Sequence, residues 1–398
     1  MKWFSLLLLF FNSVIWSESK AQRLIYDETI PVEKIRVVLE QTQGGTVSEM
    51  LSDLEYIPLQ TFKGDLIDRI SDLAIIDDRV GVLTSYSSGG QFYLFSLAGK
   101  LLKKISKIDG FKPFHKENKA LFQDIVAKDG KFVLSNYTFR ATVDTEGNIL
   151  DTLTEQRKIV EDEDGQPVRG QIDIAPGLTY YYYGITNGNK RKRHDVLALN
   201  DSVLMKFNPQ DTNRTNFSLV NTPLSKVKDE KAYLTIFQKT LIFELGTQGI
   251  DKIYDVVFPF RNTLTEEEKL RHTNWEGFLK YLQEHNSKVL EVGRTMRYQD
   301  YLIFYVARFR DPMWLAYNTE TKETYGLSNI IPDASNDYLP FFDFNNLFVD
   351  GDYIYSFIYP NHLMLGKNKS LDERHTMSKA TADLAKYNNP ILVRFKLK

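Results

Sequence analysis

FSLAGKLLKKI, residues 95–105, is an aromatic strand end, a polar turn on Gly99 and a second apolar run. Forty-eight residues later VDTEGNILDTL, residues 143–153, repeats the pattern around Gly147. Tight hairpins favour Gly, Asn or Asp because their central residues often take positive φ. The pattern returns around Asp201 before SVLMKF, around Gly249 in LIFELGTQGIDKIYDVVF with a longer turn, and near Thr321 in LAYNTETKETYGL. A second turn lies upstream of each, at Asp77-Asp78, Asp129-Gly130, Pro176-Gly177, Asp229-Glu230, Gln299-Asp300 and Asp350-Gly351. The runs after these turns, such as KFVLSNY, LTYYYYGI and YLIFYVARF, are aromatic and β-branched, as buried or half-buried strands require.

Two hairpins per unit of about 50 residues make four strands, and six units fit the chain. A lone four-stranded meander cannot cover both of its faces, so the units stack. Radial stacking into a six-bladed β-propeller buries them and leaves only short edges. The longest interval holds LTEEEKLRHTNWEGFLKYLQEH, residues 264–285. Thr265 and Glu268 there form a capping box, and Trp275, Phe278, Leu279 and Leu282 share one helical face, which predicts an inserted helix within about 262–287. The last unit ends on its third strand, PILVRFKLK, while LEYIPLQT at 54–61 has no partner of its own. The predicted closure pairs that N-terminal strand into the sixth sheet.

The chain opens MKWFSLLLLFFNSVIWSESKAQ, the layout of a secretory signal peptide cleaved after Ala21. Its apolar run is short of the roughly 20 residues that span hydrocarbon, and no later segment could span, so no membrane span is expected after cleavage. The expected organisation is a signal peptide at 1–21, an N-terminal extension at 22–50 and the propeller at 51–398. Cysteine is absent, which excludes disulfides, thiolate metal sites and a lipidated N-terminal Cys. The formal charge of −2 argues against nucleic acid as a partner.

VSEMLSDLEYIPLQT, LIDRISDLAIIDDRVGVL, FSLAGKLLKKI and the tail NPILVRFKLK together resemble the six-bladed β-propeller proteins exported by Bacteroidota, relatives of the NHL-repeat propellers. The resemblance covers about residues 30–398. It departs at SKIDGFKPFHKENKALFQ, residues 106–123, where members commonly carry a glycine-rich stretch. It implies an exported location, in the periplasm or at the cell surface, and supplies no agreed reaction and no transferable active-site residues.

With strands A to D named from the axis outward, the short A–B and C–D turns share one rim. The longer B–C loops and D-to-A crossovers share the other, and elaborated loops on a rigid scaffold are where binding usually sits. Tyr137 and Arg140 in unit two and Arg308 and Arg310 in unit five fall near that rim. Arginine among aromatics suits a carboxylate, phosphate or sugar acid, although ion pairs between sheets or plain solvation would also account for these residues. NGNKRKRH at 187–194 and EDEDG at 161–165 read as oppositely charged solvated loops. Asp124, Asp173 and Asp343 recur at similar inner-strand places and are the candidates for a divalent metal such as Ca in the central channel, or for strand caps. No catalytic signature is present. The expected function is a monomeric ligand-binding scaffold for a glycan, peptide or envelope protein. The alternative is a metal-assisted hydrolase or lyase with a central-channel Ca or Zn site.

Overall fold

A computed structural model describes residues 30–62, 65–85, 88–108, 121–136, 139–154, 168–183, 195–200, 202–207, 224–225, 230–236, 238–272, 274–343, 347–367, 378–384 and 386–398. They build six sheets in a ring. Blade 1 is Ile70–Ile76, Arg79–Thr84, Phe92–Ser96 and Leu101–Ile105, in spatial order. Blade 2 is Asp124–Lys128, Lys131–Ser135, Phe139–Val143 and Ile149–Thr154, and blade 3 is Val168–Ala175, Leu178–Tyr183, Asp195–Leu199 and Ser202–Phe207. Blade 5 is Val289–Tyr298, Tyr301–Arg308, Met313–Asn318 and Thr324–Ile331.

Blade 4 has Ala232–Thr235, Leu241–Gly246 and Gly249–Val257 as strands B to D, and on the inner side of Ala232–Thr235 the described residues contribute a bridge between Leu224 and Leu234. Gly246 and Gly249 pair directly across a two-residue loop, so this turn is short and not the longer one expected. Blade 6 takes Leu347–Asp350, Tyr353–Ile358 and Ile391–Leu397 from the C-terminal part of the chain and Leu51–Pro58 from the N-terminal part. The predicted closure is therefore present, with Leu392 opposite Ile57 and Leu397 opposite Leu51. Arg394 holds it with a bidentate pair to Glu55 at 3.0 Å on both sides.

The hairpin turns behave as their residue types dictate. Gly99, Gly147, Gly177 and Gly351 have φ of +83°, +83°, +74° and +55°, and Asp77, Asp129, Glu230 and Gln299 are also left-handed. Gly99 has a second constraint, because a Cβ there would lie 2.2 Å from the Pro58 carbonyl where blade 1 meets blade 6.

The core is a series of apolar clusters between neighbouring sheets. Between blades 5 and 6, fully buried Trp314 meets Tyr305 edge-on at 5.3 Å, in keeping with the core role its strand position suggests. Tyr180 and Tyr182 in LTYYYYGI, on one face of their strand, are likewise buried, and Tyr181 on the other face is half-buried. Near the axis, inner strands are tied by carboxylates. Asp350 accepts from Ile75 N at 2.7 Å, and Asp72 accepts from Ile125 N at 3.2 Å.

The segment before residue 51 does more than extend the chain. Val32–Arg36 adds in parallel to strand D of blade 4, and Gln43–Thr46 adds in parallel to strand D of blade 5. A one-turn helix, α1 (Val47–Met50), then leads into strand D of blade 6. One segment thus runs along the outer edges of three consecutive blades. Glu33 locks it, accepting from Lys252 of blade 4 and from Tyr317 and Lys322 of blade 5. Burial alone would raise its pKa, but those hydrogen bonds overcome it and hold the carboxyl down at about 2, against an ordinary 4.5. Because the folded value is depressed, the stabilisation is complete above the unfolded pKa and disappears as pH falls toward 2. Glu33→Gln is expected to cost about 2–3 kcal/mol at pH 7 and to flatten the acid limb of stability, checked by urea unfolding between pH 7 and pH 3. A variant whose loss is the same at both pH values would refute this account.

The insertion between blades 4 and 5 is two helices where one was predicted: α2 (Glu266–Leu270) and α3 (Trp275–Glu284). Thr265 and Glu268 form the expected capping box. A second cap, Asn274 Oδ1 accepting from Gly277 N at 2.8 Å, starts α3 afresh. Phe278 and Leu282 are buried, while Trp275, on the same face but at the first position of α3, is 40 % exposed. The B–C loop of blade 6 carries two further helices, α4 (Pro360–Lys367) and α5 (Lys379–Leu384). Among the described residues, no helix is long and apolar enough to cross a membrane.

Candidate ligand-binding rim

Strand direction puts the A–B and C–D turns on one rim, and those formed by described residues are short. The other rim carries residues 258–288 with α2 and α3, the crossover at 332–346, and residues 359–390 with α4 and α5. Among the described residues between strands, the exposed large apolar side chains are Phe62, Leu66, Phe260 and Trp275, and all four lie in D-to-A crossovers. Phe260 is 80 % exposed and Phe62 is 69 % exposed, so neither contributes to the core.

A polar group gathers on this rim where blade 6 meets blade 1. His362, in the first turn of α4, places Nδ1 3.3 Å from Oδ2 of Asp343, which lies four residues before strand A of blade 6. The Asp343 backbone N–H donates to the fully buried Ser356 hydroxyl at 2.9 Å, which fixes that carboxylate from below. Tyr359 directly follows strand B; its ring stands edge-on to His362 with centroids 6.2 Å apart, and its hydroxyl accepts from Ile70 N at 3.0 Å. Burial pushes the Tyr359 phenol up, and the Asp343 carboxylate adds to this. Asp68, just before strand A of blade 1, accepts from Ser88 at 3.0 Å. A histidine that donates Nδ1–H to a carboxylate keeps Nε2 as an acceptor. The group therefore presents acceptors with one orienting contact, which suits hydroxyl or amide donors on a ligand.

Arg308 ends strand B of blade 5, and its Nε and Nη2 both donate to the Asp311 carbonyl, at 3.0 and 2.7 Å, so it shapes its own loop. Arg310 in that loop is exposed. Arg140 is half-buried at the start of strand C in blade 2, backbone-paired with Ser135 and Leu153. Blades 2 and 5 stand opposite one another in a ring of six, so these arginines are not brought together. Tyr137, the runs at 161–165 and 187–194, and His115, His194 and His375 lie outside the described residues.

Asp124 opens strand A of blade 2, exposed at the elaborated rim. Asp173 lies near the other end of its strand, beside the A–B turn, and accepts from Thr179 at 2.8 Å. With Asp343 on His362, the three carboxylates do not converge on one ligand set, and no group of three or more His, Cys, Asp or Glu side chains suited to a metal occurs among the described residues. His362, Tyr359 and Asp68 were not distinguished from sequence. The usable signal was positional, since Asp68 and Asp343 both precede an inner strand by two to four residues.

Comparisons with known proteins agree with this architecture. A family model described as 6-bladed beta-propeller matches residues 28–109. A crystal structure of a protein from Bacteroides fragilis, described as exported, superposes with a TM-score of 0.63 at 13 % identity, covering 92 % of this chain and 99 % of that one. A DUF4221 family member from Bacteroides vulgatus gives a TM-score of 0.49 at 11 % identity, with coverages of 88 % and 98 %. Among curated proteins no sequence matches. The chain is thus a six-bladed β-propeller, similar in fold to a protein of Bacteroides fragilis and matching the six-bladed family model over residues 28–109.

Proposed function

We propose that this protein is an exported β-propeller that binds a glycan, a peptide or an envelope protein on the rim formed by its B–C loops and D-to-A crossovers. The observation that carries the reading is that, among the described residues between strands, the exposed large apolar side chains Phe62, Leu66, Phe260 and Trp275 all lie in crossovers. Aromatic side chains with a polar neighbour are the usual anchors of such surfaces. Arg310 and the Asp343–His362 pair supply the polar contacts, with Arg140 and Tyr137 as further contributors from blade 2. Export is supported by the N-terminal layout and by the likeness to a protein described as exported.

The test is a glycan array and a displayed peptide library probed with the mature chain, followed by affinity measurement on the best binder. Phe62→Ala combined with Phe260→Ala is expected to weaken binding about tenfold or more, as loss of exposed aromatic anchors does. Lys131→Ala and Glu146→Ala, on the opposite rim, are expected to leave it unchanged. Equal affinity in both sets of variants would remove the reading.

A further inference from the structure

We infer that the half-open pocket lined by strand D of blade 4, the start of strand A in blade 5 and helix α2 binds a small amphiphilic carboxylate, with Glu266 occupying the place of the ligand's carboxylate when no ligand is bound. This site does not depend on the macromolecular ligand proposed for the rim. Its volume is about 350 Å³, within the range of small-molecule pockets. The edges of Val256, Phe258, Leu264, Val289 and Leu290, otherwise buried, line its apolar side, and Lys239, Lys269 and Glu266 form the polar end. Asp255, half-exposed, also reaches the lining.

The polar end is held by groups built into the fold. Glu291, 1 % exposed on strand A of blade 5, accepts from Gln238 N at 2.8 Å. Gln238 is itself buried and left-handed at φ +53°, a conformation a non-glycine residue keeps only where surrounding contacts impose it. Its carbonyl accepts from the buried Lys269 ammonium at 2.7 Å. The next residue, Lys239, donates its N–H to Ile236 O at 3.1 Å and accepts from Val292 N at 3.0 Å, so the backbone on both sides of its side chain is fixed. From there Lys239 Nζ reaches Glu266 Oε1 at 2.9 Å, and Lys269 Nζ reaches the same oxygen at 3.0 Å.

Two ammonium groups directed at one carboxylate oxygen define an acceptor position more closely than they define Glu266. Glu266 is about half exposed and projects from a short helix on an insertion, so it can turn into water, whereas Lys269 is buried and cannot follow it. A ligand carboxylate that takes over that position exchanges one carboxylate for another. The local charge, including Asp255, stays balanced, and the ligand's hydrocarbon gains the apolar side. A cation gains nothing from this geometry, and a neutral chain gains only the apolar side.

The mature protein would be titrated with octanoate, octylamine and octanol to millimolar concentration, read by calorimetry and by thermal shift. Octanoate is expected to bind and to raise the unfolding temperature, and octylamine is expected not to bind. Lys239→Met should weaken octanoate about tenfold or more, and Glu266→Gln should tighten it severalfold by removing the internal competitor. Leu264→Trp, which fills the pocket, should abolish binding; each variant's unfolding curve without ligand shows whether it is folded. Absence of octanoate binding, octylamine binding as well as octanoate, or weaker binding in folded Glu266→Gln would each overturn the assignment.

Discussion

A chain cut back to begin at residue 60 is expected to lose cooperative unfolding, because it lacks the outer strand of blade 6. Leu51–Pro58 is paired along its length with Ile391–Leu397, and its removal leaves that C-terminal strand as a bare edge. Leu51, Ile57 and Leu59 are all at most 8 % exposed and leave with it. At about 1.5–3 kcal/mol for each buried side chain these three alone account for roughly 5–9 kcal/mol, comparable to the whole stability of a typical domain. The Arg394–Glu55 pair and the bond from Lys398 N to Met50 O at 3.0 Å go as well. A cut at residue 47 removes the added strands on blades 4 and 5 but leaves all six blades joined, so it should lower the melting temperature and keep a single transition. Calorimetry on the two truncated chains separates these outcomes. A sharp transition near that of the full chain for the shorter protein would show that ring closure does not depend on the N-terminal strand.

Trp314→Ala is expected to cost about 3–5 kcal/mol, the range for removing a fully buried large aromatic. Trp314 lies between blades 5 and 6 against Tyr305, and its own backbone N–H is held by Ser328 Oγ at 2.8 Å, so the strand cannot easily collapse into the space left behind. Trp314→Phe, which keeps an aromatic ring in the site, should cost appreciably less. Urea midpoints for the two variants measure the difference. A loss below about 1 kcal/mol for the alanine variant would mean that this inter-blade contact can repack, against the usual behaviour of close-packed cores.

The Asp343–His362 contact shows where sequence reading stops. Asp343 was visible as a recurrent inner-strand acid, but its partner comes from a helix in a B–C loop, and no spacing rule predicts which loop residue folds back onto a crossover. The arginines show the opposite limit. Arg140 and Arg308 looked alike by residue type and position in their repeats, yet the ring sets them on opposite sides and turns Arg308 onto the Asp311 carbonyl. The break between α2 and α3 lies between these cases, since Asn274 is a good cap by its chemistry and the apolar period from Trp275 to Leu282 starts right after it, while the capping box at Thr265 marks an earlier helix start.

Residue types alone were enough to mark the blade number, the hairpin turns and the closure by opposite ends of the chain. These depend on local requirements, positive φ at Gly99 or Asp129 and apolar runs of strand length, and such requirements repeat wherever the local structure repeats. Only the tertiary structure placed residues 32–46 on blades 4 and 5, joined Glu33 to Lys252 and Lys322, and brought Lys239 and Lys269 onto one oxygen of Glu266. Edge addition and charge convergence depend on which distant surfaces the ring leaves exposed and adjacent, and that information does not exist in the chain until the blades have closed.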